Sequence, residues 1–282
     1  MNPEQYQPSR TLQKLWKIEL DLLKKFIRVC QTNNLNYFII GGTLLGAARH
    51  KGFIPWDNDI DIMMPRKDYD RLWEIAPNEF NEPYFFQTSL TENKDRFFRP
   101  HAQLRNSQTI GYARCDEEKN INKGVFIDIF PLDKIPDSHH ELKVWLNTIQ
   151  KQKKLMERYC KKKKKFREYF RLSNIISSTL FSIISYKRFF SNFNRNVLGK
   201  YKNAHTQYVA NVSLGWIPSL VWPEKYFSDY CFLEFEGIEV KAPRMYKEVL
   251  DISYGDWHKY PDEVSEGVGT MHGEIIFDEN FT

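Results

Sequence analysis

An apolar run from Tyr37 to Ile40 breaks at Gly41-Gly42 and passes straight into Thr43-Leu-Leu-Gly-Ala-Ala-Arg49; soon after, Asp59-Ile-Asp-Ile-Met63 alternates acid with hydrophobe. That order reads as strand, tight turn, helix N-terminus, second strand, so a helix must open directly at the end of a strand. On a strand running from Asp59 to Met63 the two aspartates share one face, their Cα atoms roughly 6.5 Å apart, with Ile60 and Ile62 on the other. The apolar face has to be buried, and the charge gathered opposite it then needs a counterion. Two hard oxygen ligands so placed suit magnesium, which binds through a few carboxylates and completes its shell with substrate phosphates. A calcium loop fits Asp57, Asp59 and Asp61 but fails further on, with Ile62 where a tight turn needs Gly and Asp68 where a Glu is required.

The helix that opens at Gly41, Gly42 and Thr43 offers free N–H groups and the positive end of its dipole to a phosphate oxygen. Arg49 and His50 follow it and can neutralise donor phosphates; for Lys51 a solvated position is equally consistent. A further strand, Val125 to Phe130, is expected to stop at Pro131. It sets Asp128 between Ile127 and Ile129, so this carboxylate also points away from the core and can complete a metal site or accept a hydroxyl proton. Asp133 is expected to cap the turn after Pro131.

Helices are expected from Thr11 to Cys30, closed by Asn33 and Asn34, and from Arg66 to about Ala76, with several short strands between Tyr84 and Ile110. Strands mixed with helices, without strict alternation, predict an α+β (mixed α/β) fold with a small mixed sheet flanked by helices. Residues 138–205 lose the strand signal, carry lysine blocks at Lys151 to Lys154 and Lys161 to Lys165, and read as a basic helical insertion. FLEF and IEV around Glu236-Gly237 read as a hairpin. The expected organisation is a catalytic core over 1–137, the insertion over 138–205, and a C-terminal part over 206–282 that completes the catalytic domain.

The 282 residues carry a formal net charge of +5, which suits an anionic partner. Cys30, Cys115, Cys160 and Cys231 are too widely spaced for a zinc set and read as reduced and buried. The N-terminus lacks the pattern of a signal peptide and no 18-residue apolar stretch is present. The expected location is therefore cytoplasmic, with peripheral contact at the inner face of the plasma membrane; Leu172 to Tyr186, beside the lysine blocks, is the segment suited to lie on an anionic leaflet or to pack on the catalytic domain.

The run from Gly41 to Ile62, FIDIFPLD at 126 to 133 and FEG…YGDW at 235 to 257 resemble the LicD family of phosphocholine transferases, within the nucleotidyltransferase superfamily. The resemblance implies a nucleotidyltransferase-type core in which Gly41 and Gly42 form the phosphate loop. It makes Asp59 and Asp61 the paired metal ligands, Asp128 the third carboxylate and Asp57 a further acid of the motif. His272, in GTMHG, matches a histidine near the C-terminus of family members and is implied to contact donor or acceptor. Asn58 departs from the pattern, where an acid is frequent. The cysteines do not support the zinc-binding insertion of the animal fukutin-related members.

The implied activity moves phosphocholine, or a related phosphoalcohol, from CDP-choline or another CDP-alcohol to a hydroxyl of a cell-surface glycan, lipopolysaccharide, teichoic acid or lipid-linked oligosaccharide. It releases CMP and uses Mg2+ or Mn2+, and nucleic acid is not an expected partner. Trp56, Trp216, Trp222 and Trp257 are candidates for an aromatic cage around choline. Two other readings stay open, a nucleotidyltransferase acting on a small molecule and a non-catalytic protein that binds polyanions or membranes through its lysines.

Overall fold

The computed structural model describes residues 3–92, 97–161, 185–215, 217–265 and 275–278. Helix α1 spans Arg10–Thr32 and opens with the Ser9 hydroxyl accepting the Leu12 N–H at 3.0 Å, an N-cap in the usual sense. It ends because Asn34 takes a left-handed φ of 53°, which lets Leu35 N–H return to the Cys30 carbonyl at 2.9 Å. Leu12, Leu15, Leu22, Leu23, Phe26 and Cys30 are buried, so the expected apolar face is the one in use.

Strand β1 is only Phe38–Ile39, helix α2 is Gly41–His50, and β2 is Asp61–Pro65. The expected second strand therefore starts two residues late, and Asp59 lies in the extended segment ahead of it. A turn lies just upstream, where Asp57 N–H bonds the Ile54 carbonyl, and the segment reaches the sheet at Ile60, whose carbonyl accepts the Asp128 N–H at 2.9 Å. Helix α3, Arg66–Glu79, starts directly from β2. Strands β3 (Tyr84–Gln87), β4 (Ala102–Asn106) and β5 (Ile110–Ala113) follow, then the long β6, Val125–Ile135.

The sheet runs β1-β2-β6-β4-β3, with β2 and β6 parallel and the other pairs antiparallel. Strand β6 does not stop at Pro131 as expected. That proline falls between the last partner on β4, Ala102 opposite Ile129, and the first on the strand beyond, so no antiparallel neighbour needs its missing N–H. Asp133 is likewise not a turn cap. It lies buried in β6 and accepts two hydrogen bonds from Arg66, at 2.6 and 2.8 Å, while Arg66 Nη1 donates to Asn194 Oδ1 at 3.1 Å. Burial raises the Asp133 carboxyl and Arg66 opposes that; the bidentate geometry marks the contact as an ion pair.

Past β6 come α4 (His139–Lys161), α5 (Tyr186–Asn192), β7 (Tyr208–Ala210) and β8 (Val221–Pro223), with β7 paired to the far end of β6. A second, smaller core of Ile135, Trp145, Ile149, Phe193, Leu198, Ala210 and Val212 joins α4 to this extension. Of the first lysine block, Lys153 turns inward to the Ser213 carbonyl at 2.8 Å, while Lys151 and Lys154 stay exposed. Most of Leu172 to Tyr186 and of the second lysine block lies outside the described residues. Among the described residues no helix is long and apolar enough to cross a membrane.

The hairpin is as expected. Strands β9 (Tyr230–Phe235) and β10 (Ile238–Pro243) meet through Glu236 and Gly237, with φ of 49° and 74°, the two positive values of a type I′ turn. Helix α6 is Tyr246–Tyr254, and β11, Ile275–Asp278, pairs with β5. Cys30 is buried, but Cys115 is exposed and Cys160 and Cys231 are half-buried, so burial of all four does not hold.

Candidate active site

The parallel register of β2 and β6 sets Asp61 beside Asp128, roughly 4.8 Å apart across the ladder. Two further acids arrive from the segment before β2, Asp57 and Asp59, at 7% and 4% exposure. Burial, and then the charge of Asp61, push the Asp57 carboxyl up to about 7, against hydrogen bonds from Asp59 and the Asn58 N–H that lower it. Asn58, the departure from the family pattern, is buried here, and its N–H serves Asp57 Oδ1 at 3.1 Å.

Helix α2 opens against these acids. A Cβ on Gly42 would stand 2.4 Å from Asp57 Oδ2, and one on Gly41, whose φ is +61°, 2.9 Å from Asp61 Oδ2. The glycine pair is therefore what lets a helix N-terminus and two carboxylates occupy adjoining space. Thr43 is buried and its hydroxyl accepts the Asp61 N–H at 2.9 Å, so it steadies the start of β2.

At the other end of α2, Arg49 Nη1 donates to the carbonyls of Trp257 and Lys259 at 3.2 and 3.3 Å, and its guanidinium lies 4.9 Å from the Tyr260 ring centre. Burial lowers its pKa, and the groups that oppose this are tyrosines, Tyr260 and Tyr254, with no carboxylate among them. His50 beside it is pushed down by burial and by Arg49, which leaves a neutral imidazole at neutral pH. Lys51 caps the helix in left-handed backbone and pairs with Glu234 at 3.3 Å, a solvated contact. His272 lies outside the described residues, as does Trp216. Trp222 is fully buried and donates to the Ser253 hydroxyl, so it belongs to the core; Trp56 and Trp257 are also buried, Trp56 edge-on to Tyr260.

Among the described residues no three His, Cys, Asp or Glu side chains converge into a ready coordination shell. What the geometry concentrates is negative charge on oxygen donors. That is the chemistry a hard divalent cation requires, with substrate oxygens left to complete the shell.

The sequence model described as LicD/FKTN/FKRP, nucleotidyltransferase domain, matches residues 34–168. Lipopolysaccharide cholinephosphotransferase LicD of Haemophilus influenzae is 29% identical over 259 residues, which cover 90% of this chain and 93% of that protein. The likeness to a LicD protein therefore runs through most of the chain. Two other relatives match over shorter stretches. An uncharacterized protein of Rickettsia prowazekii, RP689, is 32% identical over 43% of the chain and 42% of its own length. Ribitol 5-phosphate transferase FKRP of Homo sapiens is 36% identical over 53 residues, covering 19% of the chain and 11% of FKRP.

Five residues around this site escaped the reading of the sequence. Glu19 sits in the middle of the apolar face of α1, between Leu15 and Leu22. It is 1% exposed, and its carboxyl is raised well above the ordinary value by burial and then by Asp59, Asp57, Asp128 and Asp61. An acid inside an apolar stripe was the available signal. His101, Gln103 and Arg105 occupy alternate positions around Ala102 and Leu104, a polar face on a strand that one sequence segment, HAQLRN, already spells out. Gln103 donates to Asp128 Oδ1 at 2.9 Å, and His101 Nε2 lies 3.0 Å from the same oxygen. Tyr254, in the YGDW segment, keeps its ring half in solvent while its phenol is raised by burial and by Asp61, Asp57 and Asp59.

Proposed function

We propose that this chain is a phosphotransferase that moves phosphocholine, or a related phosphoalcohol, from a CDP-activated donor to a hydroxyl of a cell-surface glycan and releases CMP. The observation that carries the reading is a set of four acids, the buried Asp57, Asp59 and Asp128 with the half-buried Asp61, of which Asp57 and Asp61 pack against the glycine turn at the N-terminus of α2. The printed functions of the relatives support the class of reaction, since one is a cholinephosphotransferase and another a ribitol 5-phosphate transferase.

Asp59, Asp61 and Asp128 would hold a magnesium or manganese ion. Such an ion, when bound, neutralises phosphate charge as a Lewis acid. The chain's own groups carry the rest. The N–H groups of Gly42 and Thr43 and the dipole of α2 favour a phosphate oxygen beside Asp57 and Asp61. Arg49, a half-buried cation whose hydrogen bonds go to carbonyls, suits a second anionic oxygen of the donor. In the transfer a bond forms between the acceptor oxygen and the phosphorus of the phosphoalcohol. The bond from that phosphorus to the bridging oxygen breaks, and CMP leaves with the electron pair. The acceptor's proton passes to Asp128 or a neighbouring carboxylate.

The test is CMP release from CDP-choline with Mg2+ and a candidate glycan acceptor, for the wild type and for an Asp59→Asn, Asp61→Asn double variant. Magnesium-dependent CMP from the wild type alone is the expected result. No CMP from either removes choline and directs the assay to CDP-ribitol and CDP-glycerol. Nucleotide retained on the acceptor instead would mean nucleotidyl transfer.

A further inference from the structure

Asp128 is held by a built polar network that the chemistry itself does not require. Gln103 stands directly opposite Asp128 in the β4–β6 ladder, and Arg105, two residues on, shares its face. The amide of Gln103 has two ends of nearly equal shape, one a donor and one an acceptor, and its neighbours decide which way it points. Arg105 Nη2 donates to Gln103 Oε1 at 2.5 Å, so the Gln103 NH2 must face Asp128, where it donates to Oδ1 at 2.9 Å.

Arg105 is itself immobilised. Its Nε donates to Gln87 Oε1 at 2.8 Å and its Nη1 to the Gly124 carbonyl at 2.7 Å, its guanidinium lies 4.5 Å from the Phe126 ring centre, and Asp116 stands 3.6 Å away. Burying a guanidinium completely is costly, and apolar side chains of like volume would serve a core as well or better. What apolar side chains cannot supply is direction.

We infer that Gln103 is a positioning residue for the Asp128 carboxylate, and that Arg105 acts through it by fixing which end of the amide faces the site. This rests on the reading of Asp128 as a metal-holding carboxylate of the transferase. The decisive variant is Gln103→Glu. It keeps an acceptor for Arg105, now as an ion pair, but turns an oxygen toward Asp128 where the wild type has a donor. Three readouts apply to the purified full chain: Mn2+ affinity by titration without substrate, kcat and KM for CDP-choline, and thermal unfolding.

The expected result is a tenfold or greater loss of Mn2+ affinity and of kcat, with KM for the donor within twofold. A residue that only filled the core would show no such split. Should Gln103→Glu fold poorly, Asp128→Asn combined with it restores a donor and acceptor facing each other, and its Tm should exceed the sum of the two single effects. Mn2+ affinity and kcat within twofold of the wild type would overturn the inference, as would a strictly additive double variant. The titration and the mutant cycle stand apart from CMP turnover, so loss of the CDP-choline reading would leave them able to decide this point.

Discussion

Glu19 shows how far a single buried side chain can be set against the stability of its own fold. It lies on the packed face of α1 within the field of four aspartates, and Asp57, beside Asp61, is pushed toward neutrality by the same crowding. Like charges brought together without water destabilise the folded state and are kept where a cation or a reaction needs them. Replacing Glu19 with Gln keeps the shape and removes an ionisable group. We expect Glu19→Gln to raise stability by about 1 kcal/mol or more in metal-free buffer, read as an increase in the denaturant midpoint. An unchanged or lower midpoint would show that Glu19 is better compensated than its surroundings indicate. Asp61, by contrast, was readable as a site residue from its alternation with Ile60 and Ile62, because a period of two says which face a side chain takes. Nothing in such a period says that a glutamate from a helix more than forty residues earlier shares the space.

At the scale of elements, two glycine turns do different work. Gly237 completes a type I′ turn with open space around it, so the cost of a side chain there is conformational alone. Gly237→Ala is expected to lose about 1 kcal/mol in equilibrium unfolding, with donor turnover retained. Gly42 has ordinary backbone but faces Asp57 Oδ2, so Gly42→Ala is expected to cut turnover tenfold or more while Tm falls by only a few degrees. Equal effects of the two substitutions on turnover would remove the special status of the α2 turn. The hairpin was legible because Glu236-Gly237 carries its own turn chemistry. The length of β6 was not, since Pro131 is a reliable stop only where its neighbours need an N–H, and which strands flank it is not a local property.

Over the whole molecule, Arg66 and Asp133 tie α3, β6 and the segment around Asn194 together out of reach of water. Asp133→Ala would strand a buried guanidinium and is expected to cost 3–5 kcal/mol, a range typical of broken buried pairs. Arg66→Met with Asp133→Leu should cost far less, and denaturant unfolding of both variants checks the contrast. Acid sensitivity has a separate source in Asp116. Its desolvation is outweighed by Arg99, Lys119 and Arg105, which hold its carboxyl below the ordinary value of 3.8. A depressed folded pKa gives stability that is present above the unfolded value and lost as pH falls through the folded one. Asp116→Asn should therefore lower Tm at pH 6, and the gap to the wild type should close as pH drops below about 4. A gap that stays constant down to pH 3 would mean that the ion pairs of Asp116 do not contribute.

The sequence by itself determined the local devices: the apolar face of α1, the glycine turn into α2, the alternating acids of β2 and β6, and the hairpin around Glu236-Gly237. Each follows from periodicity or from backbone preferences that act over a few residues. Only the tertiary structure decided that Asp61 and Asp128 are neighbours in parallel strands, that Glu19 and Tyr254 adjoin them, that Asp133 is an ion-pair partner of Arg66, and that Gln103 faces Asp128. Those outcomes depend on strand order, register and burial across the whole chain. Charge and hydrogen-bond energies follow distance in space, and sequence separation does not report it.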